Sequence, residues 1–585
     1  MKRSLIVILT LALCCDMAFC QSGLHWLHQW RDFPCSVTQV CPNTRSVPAH
    51  VQLCSLGTRT GLLGTTIPWF GHKEDAEITI RIKYRADEWL DRAYVVLSSM
   101  DEREDVTGTD TIALPLNNSW RELSFSRTIS PTAYLVVTIE FNAKAGVVPK
   151  IDLNASVYTP IQKGVLSLAE VRLLEGGREL LCDLPSHKVN AIDANDMMPL
   201  NDMRRQPIMD TRILAVGSSV HGSETFRNTA MELMRERIER HNCKLVLFEA
   251  SLYDMLYINR YVKNDERFDL SNIKNRLDLL AMPDSMRSFI DWVRKYNVTH
   301  DNSVSLLGFD VSFNYMNDLN LFDFLYQLND GRHEILDTLC VRVRKPGCEC
   351  AEMCGALDSV RLIPGVITDE EAALVRHCIY NLSASNDTVS RDVRLAKTAE
   401  VILGLFADSA AATIYAHNNF VLCSNTCHRT VGHMITTGWT PMGKYLKNRY
   451  HDDYKCLSLI CFEGMVKLRA KGKANLRKLE YAPVGSLEYQ ISLHAETPVY
   501  LPTCRLSGKG AYKTRNVGMG YTSEQFAYHF PDAIADGIVW MKGIEETDKP
   551  LNMPTENVSN YKVIKLIESY KKLPPFKGWK PREEK

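Results

Sequence analysis

The chain has no net charge, because its 69 Lys and Arg residues are balanced by 69 Asp and Glu residues. This balance argues against nucleic acid and anionic membrane surfaces as partners, since both select strongly basic chains. Beyond the N-terminus, no segment has the roughly 18 uninterrupted apolar residues that a membrane-spanning helix needs. Internal repeats and low-complexity tracts are also missing. What remains is an ordinary globular composition, with 45% hydrophobic and 24% charged residues.

Several catalytic signatures are missing as well. The chain has no HExxH motif, no Walker A loop and no carboxylate-rich metal signature, so no metal or cofactor is expected. The segment GSSVHG at 217–222 resembles the G-x-S-x-G elbow of serine hydrolases, but His221 stands where that motif needs its second glycine.

The N-terminus has the three parts of a secretory signal peptide. Lys2 and Arg3 form the basic start, residues 5–13 are apolar, and residues 18–20 provide a small-residue cleavage site. We assign residues 1–20 as the signal and expect a soluble protein exported to the periplasm or the extracellular space.

Three of the 18 cysteines lie inside this signal. A lipoprotein anchor at Cys14 or Cys20 is the less favoured reading, because the bulky Leu13 and Phe19 precede them. Of the remaining cysteines, Cys348, Cys350 and Cys354 form one cluster. For an exported chain, disulfides or free thiols are favoured over zinc, since no paired C-x-x-C motif accompanies the cluster.

Alternating apolar and polar residues from about residue 76 predict an antiparallel β-sandwich, in a domain spanning 21–190 with an irregular, cysteine-containing start. The segments NSWRELSF, AYLVVTIEF and LSLAEVRLL resemble galactose-binding-like jelly rolls attached to exported bacterial enzymes. Such domains often bind sugars, and a structural spacer is the alternative. Trp89, Trp120 and Tyr158 are either sugar platforms or core and edge residues.

After a predicted linker at 191–209, short apolar runs alternate with long amphipathic helices. This pattern predicts an α/β domain over 210–550, with a mostly parallel sheet between two helical layers. The strand-like runs are RILAVG, KLVLFEA, SVSLLGFDV, AATIYAH and CLSLICF. Residues 551–585 are expected to form a helix and a loose tail.

Titratable residues stand at or just beyond the ends of four of these runs, namely His221, Glu249, Asp310 and His417. Ligands bind at the carboxyl ends of parallel strands, so these side chains are expected to meet in one crevice. A histidine, a carboxylate and a second histidine suit acyl transfer to water. Taken singly, each is also explained by a structural role such as helix capping.

ILAVGSSVHGSETF and KLVLFEAS resemble the opening of the erythromycin esterase family, in which a strand leads into G-E-x-x-H-G and the next strand ends in E-A. Later similarity includes RDVRLAKT, IYAHNNF, GSLEYQI and DGIVWM, so the resemblance covers about 210–545. It implies a three-layer α/β/α fold and metal-independent hydrolysis of macrolide lactones by water activated on His221.

The chain departs from the family pattern at three places. Ser218 replaces the acidic residue of G-E-x-x-H-G, and residues 229–232 lack the usual basic side chains. Phe420 replaces the second histidine of H-N-x-H. Losing one positioned catalytic group typically costs about 10²-fold in rate or more.

The leading hypothesis is hydrolysis of an ester or lactone, with His221 as general base and Glu249 orienting it. His417 would polarise the carbonyl or protonate the leaving group. Candidate substrate-binding residues are Ser218, Ser219, Asp310, Arg391, Asn418 and Phe420. The alternative is a catalytically degenerate member of the family that binds a glycan or another small molecule.

Overall fold

The structure is a computed structural model, and its described residues divide into two compact units, one up to Asn190 and one from Ala191. The described residues are 24, 26–27, 30–32, 36–41, 43–55, 60–147, 163–180, 190–268, 284–301, 303–311, 317–329, 332–344, 348–383, 391–406, 410–424, 441–470, 473–518 and 525–546. The predicted signal peptide, the predicted C-terminal helix and tail, and Tyr158 lie outside them.

The first unit is an antiparallel β-sandwich, which confirms the predicted class. Its strands are β1 (Arg31–Asp32), β2 (Ser36–Cys41), β3 (His50–Ser55), β4 (Gly61–Pro68), β5 (Ala76–Ala86), β6 (Leu90–Met100), β7 (Val106–Ala113), β8 (Arg121–Ile129), β9 (Tyr134–Ala143), β10 (Val165–Glu175) and β11 (Arg178–Glu179). Among the described residues, one sheet has the order β1-β4-β9-β6-β7 and the other β2-β3-β10-β5-β8, with β11 paired to β10. Strand β5 alternates buried and more exposed side chains, as expected for a strand with one face on the core.

The two described tryptophans of this unit that were considered as sugar platforms differ in their surroundings. Trp89 is 38% exposed, and the Lys163 ammonium lies 4.6 Å from its ring centroid. Trp120 is partly buried, with the Arg85 guanidinium 5.3 Å above it and the His50 ring at its edge. Trp89 is therefore a surface residue and Trp120 an edge residue.

The second unit is built on a mixed, mostly parallel sheet. The strands of this unit are β12 (Met198–Pro199), β13 (Ile213–Ser218), β14 (Cys243–Ser251), β15 (Ser305–Asp310), β16 (Ala411–His417), β17 (Tyr454–Ala470), β18 (Lys473–Lys478), β19 (Val499–Pro502), β20 (Tyr512–Arg515), β21 (Phe526–His529) and β22 (Gly537–Ile544). Strands β20 and β21 pair with each other in a separate sheet. Within the described part of the chain, the sheet has the order β12-β19-β22-β17-β13-β16-β14-β15, and β18 pairs with β17.

Helices pack against this sheet and against one another. They are α1 (Leu200–Met203), α2 (Glu224–Arg240), α3 (Leu252–Val262), α4 (Asp284–Thr299), α5 (Asn317–Asn329), α6 (Glu334–Arg344), α7 (Cys350–Arg361), α8 (Asp369–Ser383), α9 (Arg391–Phe406), α10 (Asn418–Val421), α11 (Met442–Tyr450), α12 (Leu487–Ser492) and α13 (Pro531–Ile534). In the part of the chain that the structure describes, no helix is both long and apolar enough to cross a membrane.

Strand β13 lies at the centre of the sheet, parallel to both β16 and β17. Its six residues are all buried, which explains why ILAVGS reads as a continuous small and apolar run. The register pairs Ser218 with His417 and with Leu459, so β13 and β16 end at the same edge, while β17 continues beyond it.

The segment predicted as a linker, 191–209, contains structured elements. Strand β12 pairs antiparallel with β19, and the backbone N–H of Leu200 donates to the carbonyl of Pro498 at 3.1 Å. The polar sequence did not indicate a strand because this pairing is made by the backbone at the edge of the sheet. The segment is therefore the first edge of the second unit.

A buried arginine ties α2 to the sheet. Arg237 is fully buried and donates to the carbonyls of Met209 at 2.8 Å, Thr211 at 2.7 Å and Ala412 at 3.1 Å. These acceptors lie before β13 and at the start of β16. The guanidinium thus fixes the amino-terminal ends of two strands whose opposite ends carry the site.

We expect Arg237→Met to lower the free energy of unfolding by about 3 kcal/mol or more, because buried carbonyl groups lose their donor. Arg240→Met, one turn further along α2, is the matched control. Arg240 is 70% exposed and pairs with Glu236, so its loss should cost less than about 1 kcal/mol. Urea unfolding measures both values, and equal losses would contradict the tying role of Arg237.

Candidate functional site

A tight turn after β13 positions the ring of His221. The backbone N–H of Val517 donates to the carbonyl of Ser219 at 2.7 Å, and the N–H of His221 donates to the carbonyl of Val517 at 3.1 Å. Gly222 follows with φ +69°, and a Cβ there would lie 2.1 Å from the carbonyl oxygen of Lys467. Only glycine fits this position, both sterically and conformationally.

Glu249 lies near the carboxyl end of β14, where the parallel register with β15 shifts between Phe248 and Ser251. The irregularity brings the Ala250 carbonyl against Gly308, where a Cβ would lie 2.3 Å away. Glu249 Oε2 accepts the backbone N–H of His417 at 2.8 Å. This bond anchors the carboxylate to the end of β16.

His221 and Glu249 face each other at this edge of the sheet. His221 Nε2 lies 3.9 Å from Glu249 Oε1, and the two side chains are 21% and 25% exposed. The separation is too long for a direct hydrogen bond. If an oxygen atom lay at a typical distance of about 2.8 Å from both atoms, the angle Nε2–O–Oε1 at that oxygen would be about 90°. One water molecule or hydroxyl group can therefore contact both side chains.

His417 lies beside this pair with its ring stacked on His221, at 4.2 Å between centroids and 17° between planes. Its Nε2 is 3.0 Å from the Val517 carbonyl, and its Nδ1 accepts the backbone N–H of Asn419 at 3.1 Å. These partners fix a neutral ring with the hydrogen on Nε2. Burial and the neighbouring His221 also lower the pKa of His417 well below its ordinary value.

This bonding corrects the expected role of His417. A ring with both nitrogens bound to backbone groups has none left to polarise a carbonyl or protonate a leaving group. The residue instead caps α10 and supports the ring of His221. It is a positioning residue.

Burial shifts the pKa values of the facing pair in opposite directions. It lowers the pKa of His221 to about 4. Burial raises the pKa of Glu249 to about 7, although the His417 N–H and Arg391 oppose the rise; the charge of Asp310 adds to it. At neutral pH, Glu249 rather than His221 is the group poised between its two protonation states.

Asp310, Arg391 and Phe420 form a neighbouring group on the same side. Arg391 is half exposed, bonds Asp310 at 2.8 Å and lies with its guanidinium 5.4 Å from the Phe420 ring centroid. The ring centroid of Phe309 lies 6.4 Å from the ring centroid of Phe420. The group combines an aromatic face with a cation and a carboxylate, and both charges act on Glu249.

Ser218, Ser219 and Asn418 were expected to bind substrate, and the structure places them differently. Ser219 is fully buried in the extension of β13. Asn418 is 3% exposed, packs over Gly217 and donates to the Ser458 hydroxyl at 2.9 Å. Ser218 is 4% exposed. These three side chains are therefore buried at the strand ends.

Two features near the site were not predicted from the sequence. Tyr415, two residues before His417 on β16, shares a hydrogen bond with Ser218, and burial raises its pKa to about 12. Arg227 on α2 forms a two-pronged ion pair with Glu546 at 2.8 and 3.0 Å. Period-two spacing along β16 points to Tyr415. The Arg227 pair joins residues 319 positions apart, which no local pattern reveals.

No cluster of three or more His, Cys, Asp or Glu side chains able to hold a metal ion occurs among the described residues.

The ionisation of Glu249 gives a direct test of this electrostatic arrangement. Carbon-13 NMR of labelled glutamate carboxyl groups, assigned with Glu249→Gln, should show Glu249 titrating near pH 7. Asp310→Asn removes a like charge and should lower the midpoint, whereas Arg391→Gln removes a cation and should raise it. Asp358→Asn on α7 is the control and should leave it unchanged. A wild-type midpoint near the ordinary value of about 4.3 would contradict the account.

Comparison with known proteins identifies the family to which the second unit belongs. The erythromycin esterase family model matches residues 238–346 and 368–544. Glu249, Asp310, Arg391 and His417 lie inside these ranges, and His221 precedes them.

Three solved structures illustrate the similarity that the comparison found. A succinoglycan biosynthesis protein is 16% identical, with 61% of this chain and 95% of that chain covered and a TM-score of 0.45. A mutant of the erythromycin esterase EreC in its open conformation is 14% identical, with 60% and 96% covered and a TM-score of 0.40. A xylan-binding domain from Paenibacillus barcinonensis is 12% identical, with 25% and 85% covered and a TM-score of 0.19.

The matched residues carry β14 to β22 and most of the site described above, and the match supports a hydrolase-like function. The second unit of this chain is an erythromycin esterase family domain.

Proposed function

We propose that the second unit hydrolyses a carboxylic ester or lactone with water activated by His221 and Glu249. The observation that carries the proposal is the 3.9 Å separation of these side chains at the carboxyl edge of the sheet. Both are partly exposed, so a substrate can reach them. Their spacing suits one attacking water between them.

In the proposed reaction, His221 Nε2 accepts a hydrogen bond from the water and orients it. The ionised Glu249 carboxylate takes the proton as the water oxygen attacks the carbonyl carbon. A general base works best when its pKa lies near the working pH, and Glu249 meets this condition better than His221. The protonated pair then returns the proton to the leaving oxygen as the tetrahedral intermediate collapses.

His417 supports this reaction without transferring a proton. Its neutral ring packs flat on His221, and both residues are held by the Val517 carbonyl. This arrangement limits rotation of the His221 ring. An orienting group held within a fraction of an ångström of its working position retains the rate gain of orientation.

We also propose that the chain is exported. Lys2, Arg3 and the apolar residues 5–13 support an N-terminal signal. Sequencing the N-terminus of the secreted protein tests this assignment, and an unprocessed Met1 on the secreted protein would contradict it.

The hydrolase proposal is tested on a panel of esters and macrolides with the full chain. The wild-type protein should hydrolyse at least one compound, and His221→Ala and Glu249→Gln should each lower kcat by about 10²-fold or more. His494→Ala, which removes an exposed histidine on the same unit, should leave the rate unchanged.

Equal activity in His221→Ala and the wild type would place the reaction elsewhere. Absence of turnover on every compound would favour the catalytically degenerate binding protein, with Ser218 and Phe420 as the substituted positions.

A further inference from the structure

A pair of thiols lies at the start of α7. Cys350 Sγ and Cys354 Sγ are 4.0 Å apart. Residues four apart share a helix face, so their thiols point in the same direction. Cys350 is partly exposed and Cys354 is 7% exposed. One thiol is therefore accessible to a reagent, and the other lies directly behind it.

The segment that carries this pair falls between the two stretches matched by the family model, which end at residue 346 and resume at residue 368. Its sequence, CECAEMC over 348–354, was not used by the hydrolytic site. The pair thus lies outside the stretches that the family model matches.

Two groups on α8 partly offset the effect of burial on the Cys350 thiol. Burial and the adjacent Cys354 raise the pKa of the Cys350 thiol, while a hydrogen bond from Ser383 and the charge of Arg376 oppose the rise. Arg376 is held in place by a hydrogen bond to Asp358. The pKa of the Cys350 thiol is raised on balance, so alkaline pH favours the attacking thiolate.

The backbone at Cys350 can adjust to join the two sulfur atoms. Regular helix positions four apart have Cβ atoms about 5–6 Å apart, whereas a disulfide needs about 3.5–4.5 Å. Cys350 is the first helical residue, and Glu349 at the N-cap is extended and makes no side-chain capping bond. Opening this uncapped first turn closes the gap without disturbing the rest of α7.

We propose that Cys350 and Cys354 form a reversible disulfide by exchange with a low-molecular-weight disulfide such as oxidised glutathione. The Cys350 thiolate attacks one glutathione sulfur, forming a mixed disulfide and releasing one glutathione thiolate. The Cys354 thiolate then attacks Cys350 Sγ and releases the second glutathione. The protein thiols lose two protons and two electrons, and glutathione disulfide is reduced to two thiols.

The experiment treats the full chain with oxidised glutathione, blocks free thiols with N-ethylmaleimide in denaturant, and analyses tryptic peptides by mass spectrometry. Peptide 345–361 contains Cys348, Cys350 and Cys354. After oxidation, this peptide should carry a single N-ethylmaleimide label, on Cys348. If the protein is reduced before the free thiols are blocked, the peptide should carry three labels. Cys348→Ser is the matched control and should still form the bond, giving an unlabelled peptide.

Cys354→Ser and Cys350→Ser should each abolish the internal bond, and either variant serves if the other fails to fold. Labelling of both Cys350 and Cys354 in the oxidised wild type would overturn the proposal. A bond from either residue to Cys348 or to another peptide would also overturn it.

Discussion

The carbonyl oxygen of Val517 accepts two hydrogen bonds, one from the backbone N–H of His221 and one from Nε2 of His417. These bonds place the two imidazole rings face to face. The N–H of Val517 also donates a hydrogen bond to the carbonyl of Ser219. One peptide segment therefore fixes both the turn after β13 and the end of β16. The geometry of the candidate site depends on this segment, although Val517 contributes no reactive group.

Burial then sets the chemistry of the site. The same desolvation that lowers the pKa of His221 raises that of Glu249, because it disfavours the charged form of each. The result is an uncharged imidazole facing a carboxyl group that titrates near neutral pH. Asp310 and Arg391 form an ion pair with each other and act on Glu249 in opposite senses, so they adjust its ionisation with little net charge.

The sequence indicated the strands and the polar residues at their ends, because β13, β14 and β16 have a local pattern of buried runs. It thereby located His221, Glu249 and His417 at one edge. It did not indicate that Ser219 and Asn418 point inward, since side-chain direction at a strand end depends on the neighbouring backbone. Val517 and the Arg227–Glu546 pair make contacts between residues 100 or more positions apart, and no local sequence pattern indicates such contacts.

The most direct test of the account is a single-turnover hydrolysis in oxygen-18 water, followed by mass spectrometry of both product and protein. Water activated by the His221–Glu249 pair should place the heavy oxygen in the product acid and leave every peptide unmodified. An acylated peptide containing Ser218, Ser219 or His221 would show a covalent intermediate and would contradict direct attack by water.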